Sequence, residues 1–234
     1  MSPRISVIIP VYCEGSCINL TIDRIKSLAS ASGMVPPVEI IVVDGDPGKS
    51  TLKVINDPDI IKKESLAGRG VQMNTGARAA TTDVLLFLHA DTILPANAFN
   101  TILDVCRDKE IVAGAFDLVI DGQHPGFRLI EKTATLRSRV TRIPFGDQAI
   151  FIKAGCFRRL GGYKPIALME DVDIMLRIRQ RGHRIRFISD PVVTSARRWK
   201  KEGMIYTTIR NWILQLLFYI GVSPGKLKNY YRFL

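Results

Sequence analysis

The sequence has little with which to bind a structural metal or staple a fold. Its four cysteines, Cys13, Cys17, Cys106 and Cys156, follow no zinc-ligand spacing, and its three histidines lie far apart. Buried free thiols in a reducing compartment are therefore expected. No low-complexity tract and no internal repeat occurs, which excludes solenoids and disordered linkers. The opening MSPRISVIIPVY lacks the charged region, long apolar stretch and small-residue cleavage site of a secretory leader. A cytoplasmic location is expected from this.

Acidic residues are scarce in one half. Residues 1–123 hold 11 Lys and Arg against 15 Asp and Glu, a balance of −4. Residues 124–234 hold 22 against 7, a balance of +15, and the two close on the net +11. A basic half of this kind suits a polyanionic partner: nucleic acid, a phosphorylated substrate or an anionic membrane.

The first half alternates apolar runs with helical stretches. Ile5–Val11 and Val38–Val43 are near-continuous β-branched runs, the pattern of strands buried on both faces. Between them, Ile18, Ile22, Ile25 and Ala29 fall on one helical face. A short helix from Ser50, a short strand near Ile60, a helix over Gly70–Ala80 and a strand over Val84–Leu88 follow. This alternation predicts an α/β fold with a mostly parallel sheet flanked by helices. In such sheets ligands bind beyond the carboxyl ends of the strands, where strand order reverses. Three predicted strand ends carry polar groups: Tyr12 and Glu14, Asp44 and Asp46, and His89 and Asp91. All three should open on one sheet edge.

The second half predicts strands over Ile111–Ile120, bent at Gly114, over Gln148–Ile152 and over Arg184–Ile188. A helix over Asp171–Arg181 should stop at Gly182. No linker separates the halves. From Ile205, the residues Ile209, Trp212, Ile213, Leu216, Leu217 and Ile220 recur at helical spacing. Arg210, Asn211 and Gln215 interrupt them, so the ~20 uninterrupted apolar residues of a bilayer span are not reached. Arg197, Arg198, Lys200 and Lys201 precede this stretch, and Lys226, Lys228 and Arg232 follow it. Such a helix fits an anionic membrane surface, the domain itself or a dimer interface equally well.

Carboxylates do not attract phosphate. They attract a divalent cation, and the cation attracts phosphate. Asp91, at a strand end before a turn, suits a metal ligand. Glu170 and Asp171 open a helix, where the dipole favours acidic residues in any protein; a general base held at a cleft is the functional reading.

Taken in order, these segments resemble a family 2 glycosyltransferase of the GT-A fold. SVIIPVYCEG resembles its first strand and VVDGDPGKST its second. GRGVQMNTGARAATTDVLLFLHADTILP resembles the segment leading to the metal motif. GDQAIFIKAGCFRRLGGYKPIALMEDVDIMLRIRQRGHRIRF resembles the acceptor side and catalytic helix. The resemblance spans about Ile5 to Thr194. It implies a GT-A domain over residues 1–200, with residues 201–234 as an amphipathic helical extension of the same domain. It implies an inverting transfer from a UDP- or GDP-sugar to a hydroxyl acceptor, assisted by Mn²⁺ or Mg²⁺. Pro10, Tyr12 and Glu14 would line the base and ribose pocket, with Asp44 and Asp46 on the base or ribose and Arg69 near the diphosphate. Asp91 would hold the metal, with His89 beside it or on the ribose. Asp171 would be the base, with Glu170 as companion. Gly146, Asp147, Gln148 and Trp199 would face the acceptor or donor sugar. The implied partners extend to a lipid-linked acceptor, an anionic membrane on its inner face and a homodimer.

Departures from the family pattern carry information. His89 stands where the family keeps the first aspartate of its metal motif, a feature of a small bacterial subgroup. Asp44-Gly45-Asp46-Pro47 replaces Asp-Asp-Gly-Ser. Arg198-Trp199 keeps the end of the processive Gln-x-x-Arg-Trp motif without its glutamine, so single transfers are expected. A sugar-phosphate nucleotidyltransferase would need a Gly-rich phosphate loop after the first strand, and VYCEGSCINL lacks it. A non-catalytic basic module would leave the carboxylates unexplained, and the absence of interleaved aromatics argues against nucleic acid.

Overall fold

A computed structural model describes residues 4–33 and 38–233, with side chains through residue 231. Arg232, counted among the basic flanks, lies outside the described side chains. The apolar runs become the middle of one sheet, because strands covered on both faces need no polar alternation. The strands are β1 (Ile5–Val11), β2 (Glu39–Asp44), β3 (Ile61–Glu64), β4 (Val84–Phe87), β5 (Thr92–Ile93), β6 (Ile111–Asp121), β7 (Phe151–Lys153) and β8 (Arg184–Ser195). Their spatial order is β3-β2-β1-β4-β7-β6-β8-β5. β1 pairs in parallel with β2 on one side and with β4 on the other. Strand order therefore reverses between β1 and β4. The β1–β4 register ends at Ile8 and Phe87, while β2 stays paired through Val11. Pro10, which has no N–H to give, sits beyond the last β4 pair, where the two strands part.

Helices cover both faces. On one, α1 (Ile18–Ala31) and α4 (Ala98–Arg107) set Ile22, Ile25, Phe99 and Ile102 against Val7, Ile9 and Leu86. On the other, α3 (Arg69–Ala79), α6 (Ala154–Arg159) and α7 (Glu170–Gln180) set Met73, Phe157, Val172 and Met175 against Ile8, Val43 and Phe87. The remaining helices are α2 (Ser50–Lys53), α5 (Pro125–Thr141), α8 (Arg197–Glu202), α9 (Met204–Tyr219) and α10 (Pro224–Phe233). Leu214 of α9 and Leu227 of α10 are fully buried in the second core cluster.

Several expectations change. Gln148 does not begin a strand. Residues Gly146–Gln148 form a 3₁₀ turn, and β7 starts at Phe151. The Gln148 amide accepts the Phe145 N–H and donates to the Phe116 carbonyl, which pins the turn beneath the sheet edge. Strand β6 is irregular beside Gly114, between Ile111 and Ala113 and between Phe116 and Asp117, and not at Gly114 itself. There, a side chain would collide with the Phe151 ring and the Arg186 carbonyl. Strand β8 continues past Ile188 to Ser195. The C-terminal stretch divides into three helices. Of the cysteines only Cys156 is buried, and Cys13 is exposed; all four are free thiols.

Gly76 is where α3 comes closest to the sheet. A Cβ there would press into Ile8 and lie 3.2 Å from Val43. Gly76→Ala should lower the unfolding free energy by about 1–3 kcal/mol despite its better helix propensity. Urea denaturation measures the change, and an unchanged or raised midpoint would contradict the close packing described.

Candidate active site

The site is assembled by three pairings. Strand β4 runs parallel to β1, so His89 and Asp91 emerge beside Tyr12 and Glu14. A turn closes there, with the Thr92 N–H on the His89 carbonyl at 3.1 Å, and Thr21 of α1 donates to the Ala90 carbonyl at 2.5 Å. Strand β7 runs antiparallel to β4 with Leu86 opposite Phe151, so the turn before β7 falls at the carboxyl end of β4. That places Gly146 and Asp147 against His89. Finally, β5 pairs with the end of β8, Thr92 opposite Thr194, which brings Ser195–Trp199 over Asp91.

The product is one cavity of about 350 Å³. Arg69, His89, Asp91, Gly146, Asp147, Asp171 and Trp199 all line it. Glu14 meets its margin through Arg197, whose Nη2 lies 3.0 Å from Asp91 Oδ2 and 3.4 Å from Glu14 Oε2. Glu170 and Gln148 lie beneath the lining rather than in it. Pro10, Tyr12, Asp44 and Asp46 stand at the ends of β1 and β2, outside this cavity. Asp44 is 1% exposed, and its carboxylate accepts the N–H groups of Asp46, Thr51 and Leu52. It holds the loop that opens α2. Asp46 does the same nearby, accepting the N–H groups of Gly48 and Ser50 at 3.1 Å each; the Ser50 side chain, with these backbone bonds, keeps its carboxyl below the usual range.

Asp171 sits in the first turn of α7, after Met169 in a left-handed conformation with φ 68°. Its Oδ1 accepts the Val172 N–H at 2.8 Å, and its Oδ2 accepts the Gly146 N–H at 2.7 Å. The carboxylate is thus oriented by backbone donors from two elements. A Cβ at Gly146 would lie 3.3 Å from His89 Nε2 and 3.4 Å from Asp171 Oδ2, so glycine leaves the space between imidazole and carboxylate free. Glu170, almost fully buried, pairs with Arg69 Nε at 2.8 Å. Burial raises the Glu170 carboxyl while Arg69 opposes the shift, and Glu170 in turn raises the guanidinium. The pair aims Arg69 at the cavity.

Burial, helped by Arg69, lowers His89 to about 4, so its imidazole is neutral near pH 7 and keeps a lone pair. Among the described residues no cluster of three or more His, Cys, Asp and Glu could cage a metal. One carboxylate and one neutral imidazole facing a cavity are the donor set of a cation completed by substrate phosphate oxygens, and in that sense the residues fit a divalent metal. Two cavity-lining groups are incompletely satisfied, Asp147 and the Trp199 indole N–H. Asp147 Oδ1 is buried without a hydrogen-bond partner among the described residues. Arg197, Arg198, Met169 and Tyr231 also line the cavity, and sequence reasoning missed them as site residues. The two arginines had been read as a basic flank, and Arg197 reaches Asp91 across 106 residues.

Comparison with known proteins identifies the family and the fold. The family model described as glycosyl transferase family 2 matches residues 6–161. A Mycobacterium tuberculosis protein named pre-mycofactocin glycosyltransferase is 24% identical over 239 residues, covering 93% of this chain and 46% of that protein. An Escherichia coli UDP-Gal:alpha-D-GlcNAc-diphosphoundecaprenol beta-1,3-galactosyltransferase is 25% identical over 195 residues, covering 77% of this chain and 70% of that one. The chain spans about half the length of the Mycobacterium relative. A mannosyltransferase from Pyrobaculum calidifontis, solved with GDP-Man and Mn²⁺, superposes with a TM-score of 0.69 at 20% identity over 96% of this chain and 67% of that one. That likeness establishes the GT-A fold. With the family match covering most of its length, the chain belongs to glycosyl transferase family 2.

Proposed function

We propose that the protein is an inverting, metal-dependent glycosyltransferase that moves a sugar from a UDP- or GDP-linked donor to a hydroxyl acceptor. The observation that carries this reading is the convergence of Asp91 and Asp171, from different elements, on one cavity at the strand-order reversal. The GDP-Man and Mn²⁺ of the Pyrobaculum protein and the lipid diphosphate acceptor in the name of the Escherichia coli enzyme support it. Residues 1–200 form the catalytic domain in this reading and residues 201–234 its helical extension. His89, in place of an aspartate, sets the chain with a small bacterial subgroup.

Asp171 receives the proton of the acceptor hydroxyl as that oxygen bonds to the anomeric carbon. The bond from that carbon to the donor phosphate breaks on the opposite face, and the nucleoside diphosphate leaves with the electron pair. Arg69, held by Glu170, meets the diphosphate. Asp91 and His89 would hold the divalent ion, which when bound neutralises charge on the leaving phosphate. Pro10, Tyr12 and Glu14 border the nucleoside, and Asp44 and Asp46 shape that border by bonding their own loop. Gly146, Asp147 and Trp199 face the sugar and acceptor, and Gln148 supports them from beneath.

UDP or GDP with Mn²⁺, at about 100 times its Kd, should stabilise the fold by ~2.7 kcal/mol, a Tm rise of roughly 5–11 °C. Asp91→Ala should abolish the metal-dependent part of that rise. No shift with any nucleoside diphosphate, with or without metal, would refute the reading. Asp171→Asn should leave the nucleotide shift intact and reduce transfer by about 10²–10⁴-fold in a donor-consumption assay; retained transfer would remove Asp171 as base.

Burial holds the Asp147 carboxyl at about 6, against an ordinary 3.8, with Arg137 opposing the rise. The folded protein therefore binds this proton more readily than the unfolded chain, and the stability it adds is lost as pH rises from about 4 to about 6. Asp147→Asn removes that loss. Its Tm advantage over wild type should be larger at pH 7 than at pH 4, and a pH-independent difference would place Asp147 in a solvated setting.

A further inference from the structure

Helix α9 presents an apolar face to solvent in addition to the Leu214, Leu217 and Phe218 it packs on the core. Its inward face carries Thr207, Arg210 and Gln215 around a single fully buried leucine, Leu214. Its outward face is apolar: Ile205 is 76% exposed, Leu216 62% and Ile220 70%, with Ile209, Trp212 and Ile213 between them. These six fall within one sector of the helix, at i, i+4, i+7, i+8, i+11 and i+15. Arg210 explains why the polar side points inward. It pairs with Glu202 at 2.7 Å and lies over the Tyr231 ring at 4.4 Å, which ties α8, α9 and α10 together.

Helix α5 lies beside α9 and runs the same way, since Gly126 approaches Met204 and Arg137 donates to Gln215. It too turns apolar residues to solvent: Leu129, Leu136 and Val140. Side by side, the two helices thus turn nine large apolar residues to solvent. The rim of this patch is cationic. Lys132, Arg142, Lys200, Lys226 and Lys228 form no ion pair among the described residues. α9 and α10 contain no acidic residue, and the one in α5, Glu131, is buried against Arg128. No helix among the described residues is long and apolar enough to cross a membrane. An apolar face bordered mainly by these unpaired basic residues, with the one nearby acidic group of α8, Glu202, paired to Arg210, is too short to span and complementary to the surface of an anionic bilayer.

We infer that the α5–α9 face seats the protein on an anionic lipid surface, both helices lying in the interface. A narrow cleft between the two helices links this face to the active site. Trp212 and Ala134 belong to its walls, and so do Phe145, Asp147 and Trp199, which also line the catalytic cavity. Docking in this orientation would bring the cavity to headgroup level. The docking itself does not depend on the transferase reading.

The test is co-sedimentation with vesicles of phosphatidylcholine alone or mixed with phosphatidylglycerol. Wild type should pellet with the anionic vesicles and lose binding as salt rises. Ile209→Glu/Leu216→Glu, and separately Leu136→Glu, should weaken partitioning at least tenfold at an unchanged Tm and an unchanged GDP or UDP melt shift. Lys226→Ala should weaken it about fivefold. Wild type that ignores anionic vesicles, or charged variants that bind as wild type does, overturns the inference. So does a wild-type dimer in solution that Ile209→Glu/Leu216→Glu dissociates while neither form binds vesicles. Vesicle binding that follows the predicted pattern in a protein blind to every nucleotide upholds the docking and rejects the transferase reading.

Discussion

Everything at the site hangs on the parallel pairing of β4 with β1. That register carries the chain from Phe87 into Leu88, whose N–H still reaches the Ile8 carbonyl at 3.0 Å. The turn that follows is therefore fixed at the point where the two strands part. Two other contributors are positioned relative to that turn: the Gly146 turn because β7 pairs with β4, and the arginines of residues 197–198 because β8 pairs with the short strand just past Asp91. A one-residue slip of β4 would exchange its two buried faces and move His89 and Asp91 off the cavity together.

Much of this was legible in the sequence where burial is two-sided. β1, β2 and β4 read as strands because parallel strands between helix layers are apolar throughout, and their polar ends mark the sheet edge. α5 was not legible. Its buried positions include Glu131 and Ser138, while Leu129, Leu136 and Val140 face outward, so its hydrophobic pattern does not report a core-facing side. α9 was legible as a helix, but its orientation could not be read: periodicity reports a stripe, not which way the stripe turns. Gln148 looked like part of a strand because the following residues are apolar, and its amide instead holds a turn. Asp44 looked like a ligand-facing carboxylate, and three backbone N–H groups claim it.

The charge asymmetry along the chain also resolves in space. The acidic half supplies Glu14 and Asp91, and the basic half returns Arg197 to them, so the two excesses partly neutralise each other at the cavity. Within that balance two groups are left in the states burial dictates: a neutral imidazole at His89 and a carboxyl at Asp147 with an oxygen that none of the described residues satisfies. Their neighbours differ, and so do the directions of their shifts.

Leu227 is buried in the core cluster that also holds Ile8 and Phe87, so that cluster is closed by residues far apart in sequence. Contacts of such wide sequence separation form late, because loop closure must precede them. As the chain emerges, the parallel strands and their acidic ends can gather first, without the arginines that answer them. The cavity gains Arg197 and Arg198 only when residues beyond 195 arrive, and Tyr231 only when α10 docks. The cavity is thus completed only after the strands that bear its carboxylates, by segments distant from them in sequence.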